Sequence, residues 1–264
     1  FTRPSTVERL RGLAEAVNGS DYDLVLFDVE TPEQRDQRFG MAVSTDRAAG
    51  LVVVSLAAPE EVTERLREAD IPAVFLDRHV EGITNVHVDD VAGGRLATDH
   101  LLALGHDRIA FVGGDDGGGL GFTSSADRLS GYRASLAAAV REPGDRYVRV
   151  GPPSREAAHR LTFDLLDLPD PPTAIFAASD LQALGVIEAA RERGLAVPGD
   201  LSVMGFDDID AAVYVGLTTV RQPLFESGRL AAELLMARLA GDDASTGVEL
   251  PVELVERKTT APPA

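Results

Sequence analysis

The chain has 264 residues, of which 44% are hydrophobic, and a formal net charge of −18 at pH 7. This length allows one large domain or two modest ones, with a sizeable buried core. The chain contains no cysteine, which excludes disulfides and thiolate metal sites. So acidic a surface disfavours contact with the phosphates of DNA or RNA, and no apolar run approaches the roughly 20 residues that cross a bilayer.

The first third of the chain alternates helices with short apolar strands. The sequence from Ser5 to Glu8 matches a capping box, which predicts a helix from there to about Val17. Further helices are predicted at Pro32–Phe39 and Glu60–Ala69. Apolar and β-branched runs predict strands at Tyr22–Val29, Leu51–Leu56, Ala73–Leu76 and Asn85–Val88.

The same alternation continues to the end of the chain. Helices are predicted at Val91–Leu104, Ser125–Val140, Arg155–Leu166 and Leu224–Leu239. Strands are predicted at Arg108–Val112, Tyr147–Val150, Ala174–Ala178, Leu201–Phe206 and Val248–Val255. Regular alternation is typical of parallel sheets, and about ten strands are many for one open sheet. The sequence therefore predicts two α/β lobes connected by direct crossovers.

The start of the chain differs from that of a usual doubly wound lobe. Such a lobe opens with a strand, whereas the first predicted element here is a helix. The first residues also lack an initiator methionine and the pattern of a signal peptide. We therefore expect a first strand upstream of Phe1.

Polar side chains follow the predicted strands between Pro172 and Ser227. Ligands of open parallel sheets bind at the carboxyl ends of the strands, so this region predicts a ligand cleft. Asp207 follows a strand directly and is interpreted as an acceptor for ligand hydroxyls, and Asp208 as the cap of the next turn. Arg128 offers a planar fork of donors, and an Arg–Asp pair facing across a cleft is a sensible clamp for a sugar.

Patterns for catalysis, metals or cofactors are weak by comparison. The loop Gly113–Gly121 has no phosphate-binding pattern and contains two aspartates that would oppose a phosphate. Asp207, Asp208 and Asp210 lack the spacing of a calcium loop, and the five histidines are scattered without metal-ligand spacing. No nucleophile elbow is present. The sequence therefore predicts no enzyme, no metal site and no cofactor.

Six segments in order resemble the effector-binding core of LacI/GalR-type transcriptional regulators. They are Gly105–Gly114, Asp127–Tyr132, Pro172–Gly185, Val197–Asp208, Thr218–Pro223 and Glu256–Pro262. The resemblance implies two Rossmann-like α/β lobes with parallel sheets, joined by three crossovers, in the periplasmic-binding-protein-like type I fold. The implied lobes are residues 1–88 with 224–248 and residues 89–223 with 249–264, and Thr218–Pro223 would be a hinge strand.

The resemblance also implies a site and partners. A small hydroxylated effector would lie between the lobes of a cytoplasmic homodimer, whose operator DNA is bound by an N-terminal headpiece absent from this sequence. The implied effector-binding residues are Ser5, Thr6, Asp77, Arg78, Ser124, Arg128, Ser179, Asp207 and Gln222. The family often has asparagine at position 179 and aromatic residues near positions 5, 6 and 153. Their replacement here leaves a polar pocket poor in aromatic walls, which together with Arg78 favours a sugar, a sugar acid or another small hydroxylated ligand over a purine.

The mechanism implied by the resemblance is a population shift. An effector that binds one lobe arrangement more tightly than the other favours that arrangement, which would change the fit of two headpieces to two DNA half-sites. The alternative is a periplasmic-type sugar-binding protein of a transporter, which shares the two-lobe fold. A helix-turn-helix encoded upstream would favour the regulator, and a signal peptide would favour the transporter protein.

Overall fold

The computed structural model describes residues 3–43, 48–115, 118–140, 144–242 and 247–264. The chain divides into two compact units. The first unit comprises Phe1–Val88, Gly118–Phe122 and Pro223–Pro251, and the second comprises Asp89–Gly117, Thr123–Gln222 and Val252–Ala264. The chain leaves the first unit for the last time after Pro251, whereas the resemblance implied a boundary after residue 248. Residues 118–122 belong to the first unit, although the resemblance implied that they belong to the second.

The strands of the described residues form two sheets. They are β1 (Leu51–Val54), β2 (Ala73–Leu76), β3 (Thr84–Val88), β4 (Ile109–Gly114), β5 (Val148–Gly151), β6 (Ala174–Ala177), β7 (Ser202–Asp207), β8 (Thr218–Arg221), β9 (Gly247–Leu250) and β10 (Glu253–Val255). The first sheet, in the order β1-β2-β3-β9, is parallel throughout. The second, in the order β10-β8-β7-β6-β4-β5, is parallel except for β10. The predicted α/β fold with parallel sheets is confirmed.

Helices connect these strands. They are α1 (Pro4–Val17), α2 (Pro32–Ala42), α3 (Glu60–Glu68), α4 (Asp90–Ala103), α5 (Ser124–Ala138), α6 (Arg155–Leu166), α7 (Asp180–Glu192), α8 (Asp210–Val215) and α9 (Leu224–Leu239). A short 3₁₀ helix spans Asp145–Tyr147. None of the helices in the described ranges is long and apolar enough to cross a membrane.

Each sheet has its own apolar core. In the first unit, Val74, Leu76 and Val86 of the sheet pack with Leu13 of α1 and Ala231 of α9. The core of the second unit contains buried aromatic side chains, including Phe111, Phe176, Phe206 and Tyr132. Burial of such side chains supplies the main favourable free energy of folding. Because the apolar clusters of the two sheets are separate, the chain divides into two compact units.

The segment Tyr22–Val29, predicted as a strand, is not a strand in the structure. Its side chains are largely exposed, with Val25 70% and Phe27 54% accessible to solvent. A strand is stable where its backbone groups bond to a neighbouring strand, and no described strand pairs with this segment. An apolar, β-branched composition was therefore not sufficient to predict a strand here.

Two predicted boundaries are also wrong. The run Val248–Val255 divides into β9 and β10, which lie in different sheets, because Pro251 has no N–H for a strand ladder. The capping box at Ser5 is absent, since α1 begins at Pro4 with Arg3 in the N-cap position and no side-chain cap. Proline is favoured at the first helical position, where its missing N–H is not needed.

Candidate functional site

The carboxyl ends of the parallel strands carry polar side chains. In open α/β sheets, ligands bind at this edge, near the point where the strand order reverses. In the second sheet this point lies between β4 and β6, since β5 flanks β4 on the other side. Ala178 follows β6, Asp207 ends β7 and Gln222 follows β8. These strand ends form the candidate site of the second unit.

Arg128 is the central cation of this site. It lies in the second turn of α5 and is only 6% exposed. Its Nε donates to Asp90 Oδ1 at 2.7 Å, and its Nη1 donates to the backbone carbonyl of Ala178 at 2.5 Å. Its guanidinium carbon lies 3.6 Å from the centre of the Phe206 ring, within the range of a cation–π contact. These three contacts hold the fork of Arg128 in a fixed orientation.

Asp207 lies beside Arg128 in the same unit. Its Oδ1 is 3.7 Å from Arg128 Nη1 and accepts a hydrogen bond from Gln222 Nε2 at 2.5 Å. All three side chains are buried. The structure therefore brings together three of the residues implied by the resemblance, with a cation, an acceptor and an amide. A sugar hydroxyl both donates and accepts, so this set of groups suits it.

Contrary to the interpretation of the sequence, Asp208 does not cap the helix that follows it. The N-cap of α8 is Ile209, without a side-chain cap. The carboxylate of Asp208 instead accepts hydrogen bonds from Arg257 Nη2 at 2.6 Å and from Arg221 Nε at 2.8 Å. Charge-assisted bonds of this kind are stronger than a bond to a neutral N–H. Asp208 therefore anchors the turn after β7.

A buried carboxyl group, that of Asp180, lies next to this turn. Asp180 is the first residue of α7 and is 0% exposed. Its Oδ1 is 2.6 Å from Thr219 Oγ1, and its Oδ2 accepts from the backbone N–H of Ile209 at 2.9 Å. Burial, followed by the charge of Asp207, raises the pKa of Asp180 to about 8. Burial therefore favours the protonated form of this carboxyl group relative to that of an exposed aspartate.

The raised pKa of Asp180 predicts a pH dependence of stability. The unfolded chain ionises this group near pH 4, whereas the folded chain keeps its proton up to about pH 8. The folded state binds more protons in this window, so the free energy of unfolding falls as the pH rises from about 4 to about 8. Urea unfolding of wild type and Asp180→Asn should show this slope in the difference between the two. A pH-independent difference would contradict the prediction.

Ser179 and Gln182 form a pair at the start of α7. Ser179 Oγ accepts from the Gln182 backbone N–H at 3.3 Å and lies 3.2 Å from Gln182 Oε1. Gln182 is 2% exposed, and within the described part of the chain its Nε2 has no hydrogen-bond partner. A buried donor without an acceptor is costly. Gln182 therefore has a free donor at the end of β6, where Ser179 stands in place of the family's amide.

The first unit has a polar cluster of its own at the ends of β1 and β2. Asp77 accepts hydrogen bonds from Arg9 Nη2 and from Ser55 Oγ, both at 2.7 Å. Arg9 is 5% exposed and lies one helical turn after Ser5 and Thr6 on α1. Residues three and four positions apart share a helix face, so Ser5 and Thr6 lie on the side of α1 that meets Asp77.

Arg78 and Ser124 have different surroundings. Arg78 Nη1 donates to a backbone carbonyl of the glycine-rich loop, within the first unit. Ser124 opens α5, and its neighbour Ser125 accepts a hydrogen bond from the N–H of Gly114 at the end of β4. Asp116, which was predicted to oppose a phosphate, lies outside the described residues together with residue 117 of the glycine-rich loop.

Strained backbone is concentrated at the strand ends of both units. Six described non-glycine residues have a positive φ. Four of these lie at the carboxyl ends of β1, β2 and β7, namely Ser55 (φ 60°), Asp77 (φ 62°), Asp207 (φ 120°) and Asp208 (φ 60°). Such conformations cost on the order of 1–3 kcal/mol each and are often found at binding sites. The strained residues are thus concentrated at the strand ends that form the candidate sites.

The sequence analysis missed Arg9, Asp90 and Asp180. Asp180 follows a predicted strand end beside Ser179, so its position was a signal that could have been used. Arg9 and Asp90 lie on helices and reach the sites only through tertiary packing. Among the described residues, no group of three or more histidine, aspartate or glutamate side chains could hold a metal ion.

Comparisons with known proteins agree with this geometry. A family model described as a periplasmic binding protein-like domain matches residues 98–260. The chain is 30% identical over 262 residues to the HTH-type transcriptional repressor CytR of Escherichia coli, covering 97% of this chain and 76% of that one.

Two solved structures are similar over nearly the whole chain. A transcriptional regulator CelR–cellobiose complex has a TM-score of 0.86 and 29% identity, with coverage of 98% of this chain and 80% of that one. A LacI family transcriptional regulator from Enterococcus faecium with bound ribose has a TM-score of 0.85 and 27% identity, with coverage of 99% and 96%.

The fold and the polar strand ends thus define a ligand-binding domain of the periplasmic-binding-protein-like class. Within that class, the chain belongs to the LacI-type family of transcriptional regulators and spans their effector-binding core. Its relatives are transcriptional regulators rather than enzymes. The alternative of a transporter's binding protein is therefore less well supported than a ligand-responsive regulator.

Proposed function

We propose that this chain binds a sugar or sugar derivative and thereby modulates the binding of operator DNA by a cytoplasmic regulator. The observation that carries the proposal is the buried cluster of Arg128, Asp207 and Gln222 at the strand ends of the second sheet. The cellobiose and ribose complexes of its structural neighbours support a sugar as the effector. We assign the chain no catalytic role.

The cluster offers complementary groups to adjacent hydroxyls of a sugar. Asp207 is an ionisable acceptor, while Arg128 and Gln222 are donors, and hydrogen bonds to charged groups contribute about 1.5–3 kcal/mol each. Within the same unit, Gln182 adds the amide donor described above. The first-unit residues Asp77 and Arg78 remain predictions of the resemblance.

The effector would act on DNA indirectly. A chain with a net charge of −18 is poorly suited to grip a phosphate backbone, so we assign operator binding to a separate headpiece. An effector with different affinities for two conformations shifts their populations, and the operator affinity changes with them. Whether the effector releases or recruits DNA depends on which conformation it favours.

We also propose that the regulator is a homodimer. The second unit carries three consecutive exposed apolar residues at the end of α8, with Val213 57%, Tyr214 87% and Val215 39% exposed. Exposed aromatic residues of this kind are typical anchors of protein interfaces. A second copy of the chain is the partner that the LacI-type family implies.

Replacing Tyr214 by glutamate tests the proposed dimer. The added charge would be desolvated in an apolar interface, so we expect the variant to be monomeric at concentrations where the wild type is dimeric. Light scattering after size-exclusion chromatography measures the mass directly. Val140→Glu is the control, because Val140 is also in the second unit and is 91% exposed. An unchanged dimer in Tyr214→Glu would exclude α8 from the interface.

A thermal-shift screen tests the proposed effector class. A ligand that binds only the folded state raises the melting temperature, with a stabilisation of about 2.7 kcal/mol at 100 times its Kd. The panel should contain neutral sugars including ribose and cellobiose, sugar acids, sugar phosphates and nucleosides. The proposal predicts that the largest shifts come from neutral sugars or sugar acids. A shift produced by nucleosides alone would contradict it.

A further inference from the structure

The turn after β7 and the end of β8 face each other with two polar residues each. Asp207 of β7 lies opposite Arg221 of β8 in the register of the two parallel strands. Gln222 Nε2 donates to Asp207 Oδ1 at 2.5 Å, and Arg221 Nε donates to Asp208 Oδ2 at 2.8 Å. The end of β8 therefore engages both aspartates, one through Gln222 and the other through Arg221.

Arg257, in the part of the chain that follows β10, is a second cation on Asp208. It belongs to the second unit, as β7 and β8 do. Its Nη2 donates to Asp208 Oδ1 at 2.6 Å, and its Nη1 donates to the backbone carbonyl of Leu217 at 2.8 Å. Its backbone N–H donates to Oγ1 of Thr218, the first residue of β8, at 3.0 Å. Arg257 therefore meets Asp208 from a position that the start of β8 fixes.

The two arginines that meet Asp208 differ in their burial. The side chain of Asp208 is 6% exposed, that of Arg257 is 16% exposed and that of Arg221 is 48% exposed. Ion pairs of exposed groups contribute little to stability, whereas a buried charge depends strongly on a partner that is buried with it. Arg257 is therefore the principal partner of the Asp208 carboxylate.

The turn that carries both aspartates has a strained backbone. The φ angles of Asp207 and Asp208 are 120° and 60°, and such conformations persist only where the surrounding structure fixes them. The backbone N–H of Ile209 binds Asp180, and the carboxylate of Asp208 binds Arg257 and its fellow arginine from β8. These contacts fix the turn, and the turn sets the direction in which the Asp207 side chain leaves the backbone.

We propose that Arg257 is a positioning residue of the effector site, which acts through Asp208 on Asp207. By holding Asp208, it keeps the strained turn in the conformation that presents Asp207 Oδ1 to Gln222 and, at 3.7 Å, to Arg128. An acceptor that is already oriented spares the effector the free energy of ordering it. This role rests on the assignment of Asp207 to the effector site in the proposed function.

The side-chain amide of Gln222 reports the position of Asp207 without a ligand. Its acceptor is a carboxylate oxygen at 2.5 Å, and charge-assisted hydrogen bonds are strong. In NMR spectra of the wild-type full chain, one Nε2–H proton of Gln222 should therefore resonate downfield of an ordinary glutamine amide. In Arg257→Met, this resonance should return toward the ordinary position. A variant that is merely less stable but keeps the native turn would keep the wild-type resonance.

Two further variants separate the proposed role from a general loss of charge. Asp208→Asn removes the charge that Arg257 meets, and asparagine tolerates a positive φ, so this variant should fold and shift the Gln222 resonance in the same direction. Lys258→Met is the control. Lys258 is the neighbouring cation in the sequence, it is exposed, and its side chain lies beside Gly216. The control should keep the wild-type Gln222 resonance.

Calorimetry of the sugar selected by the thermal screen measures the effect on binding. Arg257→Met should bind it about tenfold more weakly, at the lower end of the loss expected for removal of a charged acceptor. In an Asp207→Asn background, Arg257→Met should have no further effect, because both changes remove the same interaction. Lys258→Met should bind the sugar like wild type.

Three results would overturn the proposal. They are a wild-type Gln222 resonance in Arg257→Met, an equal shift of that resonance in Lys258→Met, and additive losses of affinity in Arg257→Met and Asp207→Asn. If Arg257→Met does not fold, Asp208→Asn takes its place in both measurements. The Gln222 resonance requires no ligand, so it decides the positioning role even where the sugar screen contradicts the proposed function.

Discussion

Replacement of Arg128 by methionine is expected to lower the free energy of unfolding by about 3–5 kcal/mol, as measured for broken buried ion pairs. The variant leaves Asp90 and Asp207 without the cation that lies between them, at 2.7 and 3.7 Å in the wild type. Asp207 is buried and the side chain of Asp90 is only 10% exposed, so water compensates little for the loss. Methionine retains most of the apolar contact with Phe206, so the loss of stability reports mainly on the removal of the guanidinium charge. Urea unfolding at pH 7 measures the difference.

Arg133 provides a matched control on the same helix. Its ion pair with Asp145 is exposed, with 57% and 90% of the two side chains accessible. Exposed pairs contribute little to stability, so Arg133→Met should unfold close to wild type. An Arg128→Met variant as stable as Arg133→Met would show that Arg128 is not the buried cation of the site.

Replacement of Gly131 by alanine is expected to destabilise the second unit by about 1–3 kcal/mol or more, as overpacking does. A Cβ atom at Gly131 would lie 2.2 Å from the backbone oxygen of Val91 and 2.8 Å from the backbone nitrogen of Arg95. Neither backbone atom can move away without a shift of the whole helix α4, so α4 and α5 must separate. The helix α5 carries Arg128, so the variant should also weaken sugar binding. Thermal unfolding with and without a sugar from the screen measures both effects.

Gly40 is the control for this substitution. It also lies within a helix, α2, but a Cβ atom there meets nothing within 4 Å. Alanine is favoured over glycine in a helix by about 1 kcal/mol, so Gly40→Ala should be stabilising. The two substitutions are chemically identical and should have opposite signs. A stabilising Gly131→Ala would contradict the close packing of α4 and α5.

The elements of the second unit were largely predictable from the sequence. Its strands are short apolar runs between helices, and a parallel sheet buried on both faces requires that pattern. The segment Tyr22–Val29 has the same composition but is not a strand, because a strand also depends on a neighbour that composition does not reveal. The split of Val248–Val255 was foreseeable from Pro251, whose missing N–H argues against one continuous strand.

The candidate site was predictable only where its residues follow strands. Asp207, Gln222 and Ser179 stand at strand ends, and the parallel topology brings those ends to one edge. The partners of Arg128 and Asp77 were not predictable, because Asp90 and Arg9 reach them from helices distant in sequence. The environment of Asp180 was equally hidden, since its raised pKa depends on burial and on the nearby charge of Asp207.

The measurement that most directly tests the central claim is a calorimetric titration of the sugar that gives the largest shift in the thermal screen. Wild type, Asp207→Asn and Asp210→Asn should be compared, because Asp210 is an exposed acidic residue three positions further along the chain. Loss of a charged acceptor costs about 1.5–3 kcal/mol, so Asp207→Asn should bind roughly 10- to 100-fold more weakly. Asp210→Asn should bind like wild type. Equal affinity of all three proteins would contradict the assignment of the effector site to Asp207.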